Sequence, residues 1–313
     1  MTPGERGVVR VGTRGSLLAR AQTARVAAAL EALHPEARFE TVVVRTSGDR
    51  DRREVVGAFV KELQEALFAH EVDIAVHSMK DLPTERPQGL TIAAVPPRED
   101  ARDALVSPLG GLKHLPKGAL VGTGSVRRTA QLRSLRQDLQ FKPLVGNVDT
   151  RLRKLAEGEY QAIVLALAGM LRLGFEVSDG VLDGRGLDVD LLEPAQMLPA
   201  PAQGALALEC RSNDKRALAL LTPLDDPASH AAVRAERAFL AALGGGCQTP
   251  VAAYAVVECS SCALRGLVAA PDGSRVIRGE ADGSANEPEA LGKALAERLL
   301  RLGAADILPR TAG

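Results

Sequence analysis

A short polar stretch, residues 77–81 (HSMKD), has the residue types needed for chemistry. It follows a short apolar run of Val72, Ile74, Ala75 and Val76, which has the length of a buried strand, and Pro83 prevents a continuing helix. Open α/β sheets bind ligands where their strands end. There, Lys80 can hold an anion and Asp81 can face an N–H donor or a developing positive charge. A salt bridge at the strand end is the competing interpretation, and this stretch alone does not decide between them.

A second candidate lies near the N-terminus, between a strand expected at 8–12 and a helix expected to run to about Leu33. Ser16 is a good N-cap for that helix. Backbone N–H groups at a helix N-terminus attract anions, and Arg14 lies at the same place. Capping alone explains Ser16 but does not explain Arg14.

The segment LVGTGS at 120–125 repeats the pattern of RVGTRGS at 10–16. Each is a strand, a Gly-Thr turn, a Ser cap and a helix start. In the second copy the cap is Ser125, and the helix opens with Arg127 and Arg128. Two guanidinium groups at the positive end of a helix repel each other and the helix dipole, so this placement is costly unless an anion is bound there. A solvated basic turn is the alternative.

Two further arginines fall at comparable places. Arg151 lies in the first turn of a helix after a strand expected at 141–145, with Asp149 as the expected N-cap, and Arg172 lies just beyond a strand expected at 162–167. A cleft between two such α/β lobes, lined with arginine, would bind a polyanionic ligand. The set is Arg14, Arg127, Arg128, Arg151 and Arg172.

One thiol, Cys247, follows three glycines in the segment GGGCQTP. Glycines allow unusual backbone dihedrals and leave space around the thiol. The segment is either a flexible connector with an incidental buried cysteine or a device that presents a thiol for covalent attachment, and spacing does not decide. Cys259 and Cys262 have C-x-x-C spacing, but no second pair or histidine cluster completes a metal site.

Composition limits the possible functions. The 313 residues predict two or three domains, and the 39 basic residues balance 39 acidic ones, whereas a nucleic-acid binder would show a basic surplus. No apolar signal region opens the chain and no run of about 18 apolar residues occurs, so we expect no membrane partner. The sparse cysteines indicate a reduced, cytoplasmic protein.

The hydrophobic pattern of the rest of the chain predicts the helices and strands that position these residues. A helix is expected at 58–69, a strand at 91–95 and a crossing between lobes at 96–100. The apolar segment 199–210 is expected to return the chain to the first lobe. A small α+β domain is then expected from a helix at 229–243, strands at 251–258, 262–270 and 274–280, and a helix at 291–302.

Together the motifs resemble the porphobilinogen deaminase family, also called hydroxymethylbilane synthases. The matching segments are GTRGSLLA, FVKEL, DIAVHSMKDLP, GTGSVRR, GNVDTRL, LALAGMLRLG, QGALALECR and GGGCQTP. The resemblance implies an α/β fold with two periplasmic-binding-protein-like (type 2) domains flanking a cleft, plus a small α+β C-terminal domain. The implied domains are 1–98 with 199–220, then 99–198, then 221–313, the last carrying the cofactor cysteine.

The resemblance also implies an activity. The chain would be a transferase of porphyrin, heme and tetrapyrrole biosynthesis with a dipyrromethane cofactor joined by a thioether to Cys247. It would condense four porphobilinogen molecules head to tail on that primer, with loss of ammonia, and release linear hydroxymethylbilane by hydrolysis. No metal, nucleic acid or membrane is implied, and we expect a monomer.

Site residues carry over from the family's motifs. Asp81 would be the catalytic carboxylate, which stabilises the cationic azafulvene left when ammonia departs and assists proton transfer. The cofactor would be bound by Cys247, Lys80, Asp81, Ser125, Arg127, Arg128, Arg151 and Arg172. The substrate would be bound by Arg14, Ser16, Arg151 and Arg172. Bidentate pairing with the acetate and propionate groups of each pyrrole explains the arginines.

Two departures from the family pattern stand out. Val145 occupies a position where the family usually has Arg, and Lys142 could supply the missing contact. The loop at 52–57 is shortened and lacks the usual lysines, for which Arg52 or Arg53 could substitute. The alternative to an enzyme is a non-catalytic, two-lobed binding module for a small polycarboxylate. It explains the arginines but not Asp81 or the thiol after three glycines.

Overall fold

The computed structural model describes residues 7–44, 58–244 and 249–308. The chain divides into two compact units, Met1–Arg98 with Ala205–His230 and Glu99–Gly204 with Ala231–Gly313. Cys247 and the shortened loop at 52–57 lie outside the described residues.

The strands of the described residues are, in chain order, β1 (Val9–Arg14), β2 (Phe39–Val44), β3 (Ile74–Ser78), β4 (Leu90–Ala94), β5 (Asp103–Ser107), β6 (Leu120–Gly122), β7 (Gln140–Lys142), β8 (Ala162–Ala166), β9 (Val177–Ser178), β10 (Val181–Leu182), β11 (Leu187–Leu192), β12 (Leu206–Arg211), β13 (Val251–Glu258), β14 (Ser261–Ala269) and β15 (Val276–Ser284). The α-helices there are α1 (Leu17–Leu33), α2 (Ala58–Phe68), α3 (Val126–Leu135), α4 (Val148–Ala156), α5 (Leu167–Arg172), α6 (Lys215–Leu221), α7 (Pro227–Ala242) and α8 (Pro288–Arg301).

The first unit is built on a five-stranded sheet of order β2-β1-β3-β12-β4. Strand β1 is parallel to β2 and β3, and β12 is antiparallel to β3 and β4. The apolar runs of the sequence form these strands because both faces of the sheet are covered. Val11, Ile74 and Leu30 are buried with the α1 face, whereas Leu63 and Ala75 are buried with the α2 face.

The second unit contains two sheets. The larger has the order β7-β6-β8-β5-β11-β10-β9, with β6 parallel to both β7 and β8 and β5 antiparallel to both β8 and β11. The smaller is the antiparallel sheet β13-β14-β15. Phe239 of α7 and Leu295 of α8 are fully buried against the smaller sheet with Leu264. These elements form the expected small α+β unit.

Several predicted boundaries are wrong by a few residues. Strand β1 continues through Arg14 rather than ending at Gly12, because Thr13 and Arg14 pair with β2. Strand β7 ends at Lys142, where its partner β6 also ends and Pro143 follows. The N-cap of α4 is Asn147 rather than Asp149. The third strand of the small sheet is Val276–Ser284 rather than 274–280, since the turn before it is longer than expected.

Among the described helices, none is both long enough and apolar enough to cross a bilayer. Within residues 7–44, 58–244 and 249–308, no cluster of three or more His, Cys, Asp or Glu side chains could hold a metal ion.

Candidate functional site

The polar stretch after β3 forms a 3₁₀ turn, Met79–Asp81, which presents two charged side chains. Met79 and Leu82 are buried on either side of the turn, and the Met79 N–H donates to the Ala205 carbonyl at 3.0 Å. Lys80 is half-buried between them and Asp81 is exposed. The buried pair fixes the backbone, so Asp81 can meet a ligand without any change in packing.

His77 does not share that exposure. Its side chain is 4% exposed, and its Nε2 lies 3.1 Å from Glu209 Oε2 without the alignment of a hydrogen bond. Gln64 of α2 donates its Nε2 to both Glu209 oxygens, at 3.1 and 3.3 Å. By the alternation of β3, His77 therefore lies on the same face of the strand as Ala75, the face covered by α2.

Arg14 and Ser16 lie at the same edge of the first sheet as the turn, because β1 and β3 are parallel and both end there. Ser16 caps α1, as predicted, with its Oγ accepting from the Ala19 N–H at 3.2 Å. Ser78, the last residue of β3, exchanges hydrogen bonds with Gln22 of α1 at 3.1 and 3.2 Å. The helix start and the strand end are thus held together.

In the second unit, Ser125 caps α3 as predicted, with its Oγ accepting from the Arg128 N–H at 3.4 Å. The two arginines that follow the cap are not a solvated basic turn. Arg127 and Arg128 are 5% and 6% exposed, and both pair with Asp103, which is fully buried at the start of β5. Asp103 is thus a counter-ion for the positive helix start, and it was not among the residues predicted from the sequence.

Arg127 and Arg128 donate to Asp103 from different edges of their guanidinium groups. Arg128 places Nε and Nη2 on Oδ1, at 3.0 and 2.7 Å, and Nη1 on the Val164 carbonyl. Arg127 places only Nη1 there, donating to Asp103 Oδ2 and the Leu198 carbonyl, both at 2.7 Å. Within the described part of the chain, the Nε and Nη2 groups of Arg127 donate to no protein atom. That edge is the fork that binds a carboxylate in a bidentate way.

Positive charge exceeds negative charge around this cluster. Burial would raise the pKa of the Asp103 carboxyl, but Arg127 and Arg128 hold that pKa well below its usual range. Burial lowers the pKa of Arg128; Asp103 opposes that shift, and the charges of Arg127 and Arg151 add to it. The charges of Arg127 and Arg151 thus both act on Arg128, which pairs with the single carboxylate of Asp103, and this local excess of positive charge favours an anionic ligand.

The segment 198–204 makes hydrogen bonds with several buried polar side chains of the second unit. The Leu198 carbonyl accepts from Arg127, and the Gly204 carbonyl accepts from Arg172 Nη2 at 2.6 Å. Gln203 donates its Nε2 to Asp103 Oδ1 at 2.9 Å and to the Ala101 carbonyl at 2.7 Å. One stretch of backbone thus contacts both Arg127 and Arg172, which lie on different helices.

Gly204→Ala is expected to destabilise the protein by about 1–3 kcal/mol, because Gly204 has a φ of +88° and an added Cβ would collide with the Glu99 carbonyl. The urea midpoint measures this change. Gly184→Ala is the matched control, because Gly184 also has a positive φ, +71°, but nothing within 4 Å of an added Cβ. Equal losses in the two variants would contradict a close approach at Gly204.

Of the two departures from the family pattern, Val145 lies within the described residues and the loop at 52–57 lies outside them. Val145 is 47% exposed, so an apolar side chain faces solvent at the position where the family usually has Arg. The Lys142 Nζ lies 5.6 Å from the centre of the Tyr160 ring, in a cation–π arrangement. Arg151 donates its Nε to the Gly146 carbonyl at 2.7 Å, which places its guanidinium beside the same turn. Arg151 is therefore a cation on this turn in addition to Lys142.

The donors of the second unit fit a group rich in carboxylates. Arg127 offers an open fork, Arg151 adds positive charge, and Ser125 caps the start of the helix that carries Arg127. The binding of a cofactor or substrate by these residues remains a prediction from the sequence. Cys247 lies between Gly244 and Thr249, outside the described residues, and its predicted link to the cofactor is also untested.

Comparison with known proteins gives consistent matches. Residues 9–219 match the family model described as "Porphobilinogen deaminase, dipyromethane cofactor binding domain", and residues 230–301 match its C-terminal domain. The porphobilinogen deaminase of Thermus thermophilus is 50% identical over 306 residues, covering 96% of this chain and 98% of the relative. That of Roseiflexus castenholzii is 48% identical over 310 residues, covering 97% of this chain and 99% of the relative.

Among solved structures, an arginine-specific periplasmic binding protein of Salmonella typhimurium has 13% identity and a TM-score of 0.41, over 71% of this chain and 93% of that chain. The predicted α/β class with a small C-terminal domain is confirmed: the two larger sheets carry helices, and a separate three-stranded antiparallel sheet packs against helices in the C-terminal domain. With both family domains matched and about half of all residues shared with its relatives, the chain belongs to the porphobilinogen deaminase family.

Proposed function

We propose that this chain is a hydroxymethylbilane synthase. It condenses four porphobilinogen molecules head to tail, with loss of ammonia, on a covalent dipyrromethane primer, and then releases hydroxymethylbilane by hydrolysis. The observation that carries this proposal is the buried Arg127–Asp103–Arg128 cluster with one open guanidinium fork. Each pyrrole carries an acetate and a propionate, and such a fork binds a carboxylate in a bidentate way.

The first unit supplies the groups that act at the reacting centre. Asp81 accepts from pyrrole N–H groups and offers a negative charge to the cation that the substrate becomes when ammonia departs. Its exposure on the 3₁₀ turn makes the carboxylate available, and Lys80 beside it holds a carboxylate of the ligand. Arg14 and Ser16, at the same edge of the first sheet, hold the incoming ring.

The second unit binds the primer and the growing product. Arg127, Arg128, Arg151 and Arg172 supply cationic donors, and Ser125 orders the start of α3. Cys247 provides the thioether link. When bound, the dipyrromethane supplies the nucleophilic pyrrole carbon to which the first substrate is added. The protein's part is to neutralise the carboxylates that accumulate with each addition, and arginine does so at every pH at which proteins are folded.

The proposed domains follow the predicted boundaries, 1–98 with 199–220, then 99–198, then 221–313. The separate sheets of the chain support this division, because each has its own buried core. We also propose that the protein acts as a cytoplasmic monomer. Light scattering of the purified protein tests the oligomeric state.

The direct test is incubation of the purified protein with porphobilinogen. We expect release of ammonia, formation of a linear tetrapyrrole, and an intact mass that exceeds the chain by two linked pyrrole units. A protein that releases no ammonia and gains no mass would contradict the enzyme. Binding of a small polycarboxylate by such an inactive protein would support the two-lobed binding module instead.

A further inference from the structure

Asp103 is a buried carboxylate whose two oxygens are both occupied by donors of this protein. Oδ1 accepts from Arg128 and from Gln203, and Oδ2 accepts from Arg127. Its exposure is 0%. A ligand therefore has no access to the Asp103 carboxylate, and any influence of this residue on the reaction passes through the arginines.

The contact that Asp103 makes with Arg127 determines which edge of that guanidinium is open. Nη1 is held at 2.7 Å by Oδ2 and at 2.7 Å by the Leu198 carbonyl, on the side opposite to the Nε edge. Without the carboxylate, Arg127 and Arg128 would be neighbouring cations at the positive end of α3 and would repel each other. Arg127 would then adopt other rotamers, and its fork would no longer have a fixed direction.

Gln203 completes the arrangement from the segment 198–204. Its Nε2 donates to Asp103 Oδ1 at 2.9 Å and to the Ala101 carbonyl at 2.7 Å, and it is 1% exposed. The carbonyl of Leu198, in the same segment, holds Arg127. Gln203 therefore fixes the carboxylate relative to the backbone that also holds the arginine.

We propose that Asp103, supported by Gln203, is a positioning residue that presents the Nε and Nη2 edge of Arg127 to a carboxylate of the primer or product. Arg128 holds the Asp103 carboxylate in place in this arrangement, since its own Nε and Nη2 donate to Asp103 Oδ1. The inference rests on the proposed function and adds that Arg127 binds the ligand whereas the adjacent Arg128 holds Asp103. Neutralising the two arginines would not by itself require this division. Oδ1 accepts from the Nε and Nη2 edge of Arg128, whereas Oδ2 accepts only from Nη1 of Arg127, which leaves the corresponding edge of Arg127 open.

Asp103→Ala tests this role. We expect the fraction of purified protein that carries the dipyrromethane mass to fall, and kcat/KM for porphobilinogen to fall about 100-fold, the order expected when a binding group is misplaced by about 1 Å. Added formate can occupy the space of the missing carboxylate. We expect formate, but not chloride at the same ionic strength, to restore part of the loss in a concentration-dependent way.

Two further variants keep the test decisive. Asp190→Asn is the control, because it removes a carboxylate from β11 of the same sheet. Asp190 accepts from the Leu112 N–H at 2.8 Å through Oδ2, and among the described residues it pairs with no arginine. We expect its kinetics to stay within about twofold of the parent. If Asp103→Ala does not fold, Gln203→Met removes only the neutral support, and we expect about a tenfold loss in kcat/KM with incomplete cofactor loading.

The inference is overturned if Asp103→Ala is fully loaded with cofactor and its KM and kcat stay within about twofold of the parent. It is also overturned if formate restores nothing while Gln203→Met behaves as the parent, because the loss would then reflect stability alone. A parent that neither gains mass nor releases ammonia would contradict the proposed function and this inference with it.

Discussion

Asp81→Asn is expected to reduce turnover by about 10²–10³-fold or more, the loss seen when one group that stabilises transition-state charge is removed. The amide keeps the size of the side chain but cannot compensate the cation formed as ammonia departs, and it cannot accept a proton. Asp81 is exposed on the 3₁₀ turn, so the change should leave folding intact. The initial rate of ammonia release, with KM and the melting temperature, measures the effect.

The control for this variant is Glu85→Gln. Glu85 is an exposed carboxylate four positions further along the same loop, so its replacement makes the same change in net charge without touching the turn. We expect Glu85→Gln to behave as the parent. Comparable activity in Asp81→Asn and the parent would remove Asp81 from the catalytic role, and a shared loss in both variants would indicate long-range electrostatics rather than a local contact.

Local signals in the sequence predicted much of the candidate site. Ser16 and Ser125 cap their helices as expected, because a cap is decided by residues three positions apart. The polar turn was also predicted, since Lys80 and Asp81 follow an apolar run within a few positions and Pro83 prevents a continuing helix. Such features depend on contacts that are short along the chain.

The contacts that determine the chemistry of the arginine cluster span much longer separations. Asp103 lies 24 residues from Arg127 and 100 residues from Gln203. The sequence did contain a signal for a buried charge, since Asp103 opens the apolar segment DALVS. Glu209 in the apolar segment LALEC gives the same signal for its pair with His77. A buried charge predicts a partner but does not identify it. Only the folded chain brings β5, α3 and the segment 198–204 into contact.

Cys247→Ala is expected to abolish both the pyrrole adduct and turnover, because a thioether needs a sulfur nucleophile and alanine has none. The other thiols are poor substitutes. Burial raises the pKa of Cys210 to about 11 and also raises the pKa of Cys262, so both stay protonated at neutral pH. Intact mass before and after incubation with porphobilinogen measures the adduct, and ammonia release measures turnover.

Cys259→Ala is the matched control, because Cys259 is an exposed thiol in the turn between β13 and β14. If exposure alone selected the reactive sulfur, Cys259 would carry the adduct, and its replacement would remove the added mass. We expect Cys259→Ala to keep both the mass and the turnover, while Cys247→Ala loses both. An adduct that persists in Cys247→Ala would place the primer on another residue, and the carboxylate-binding role of Arg127 would then have to be tested from that attachment point.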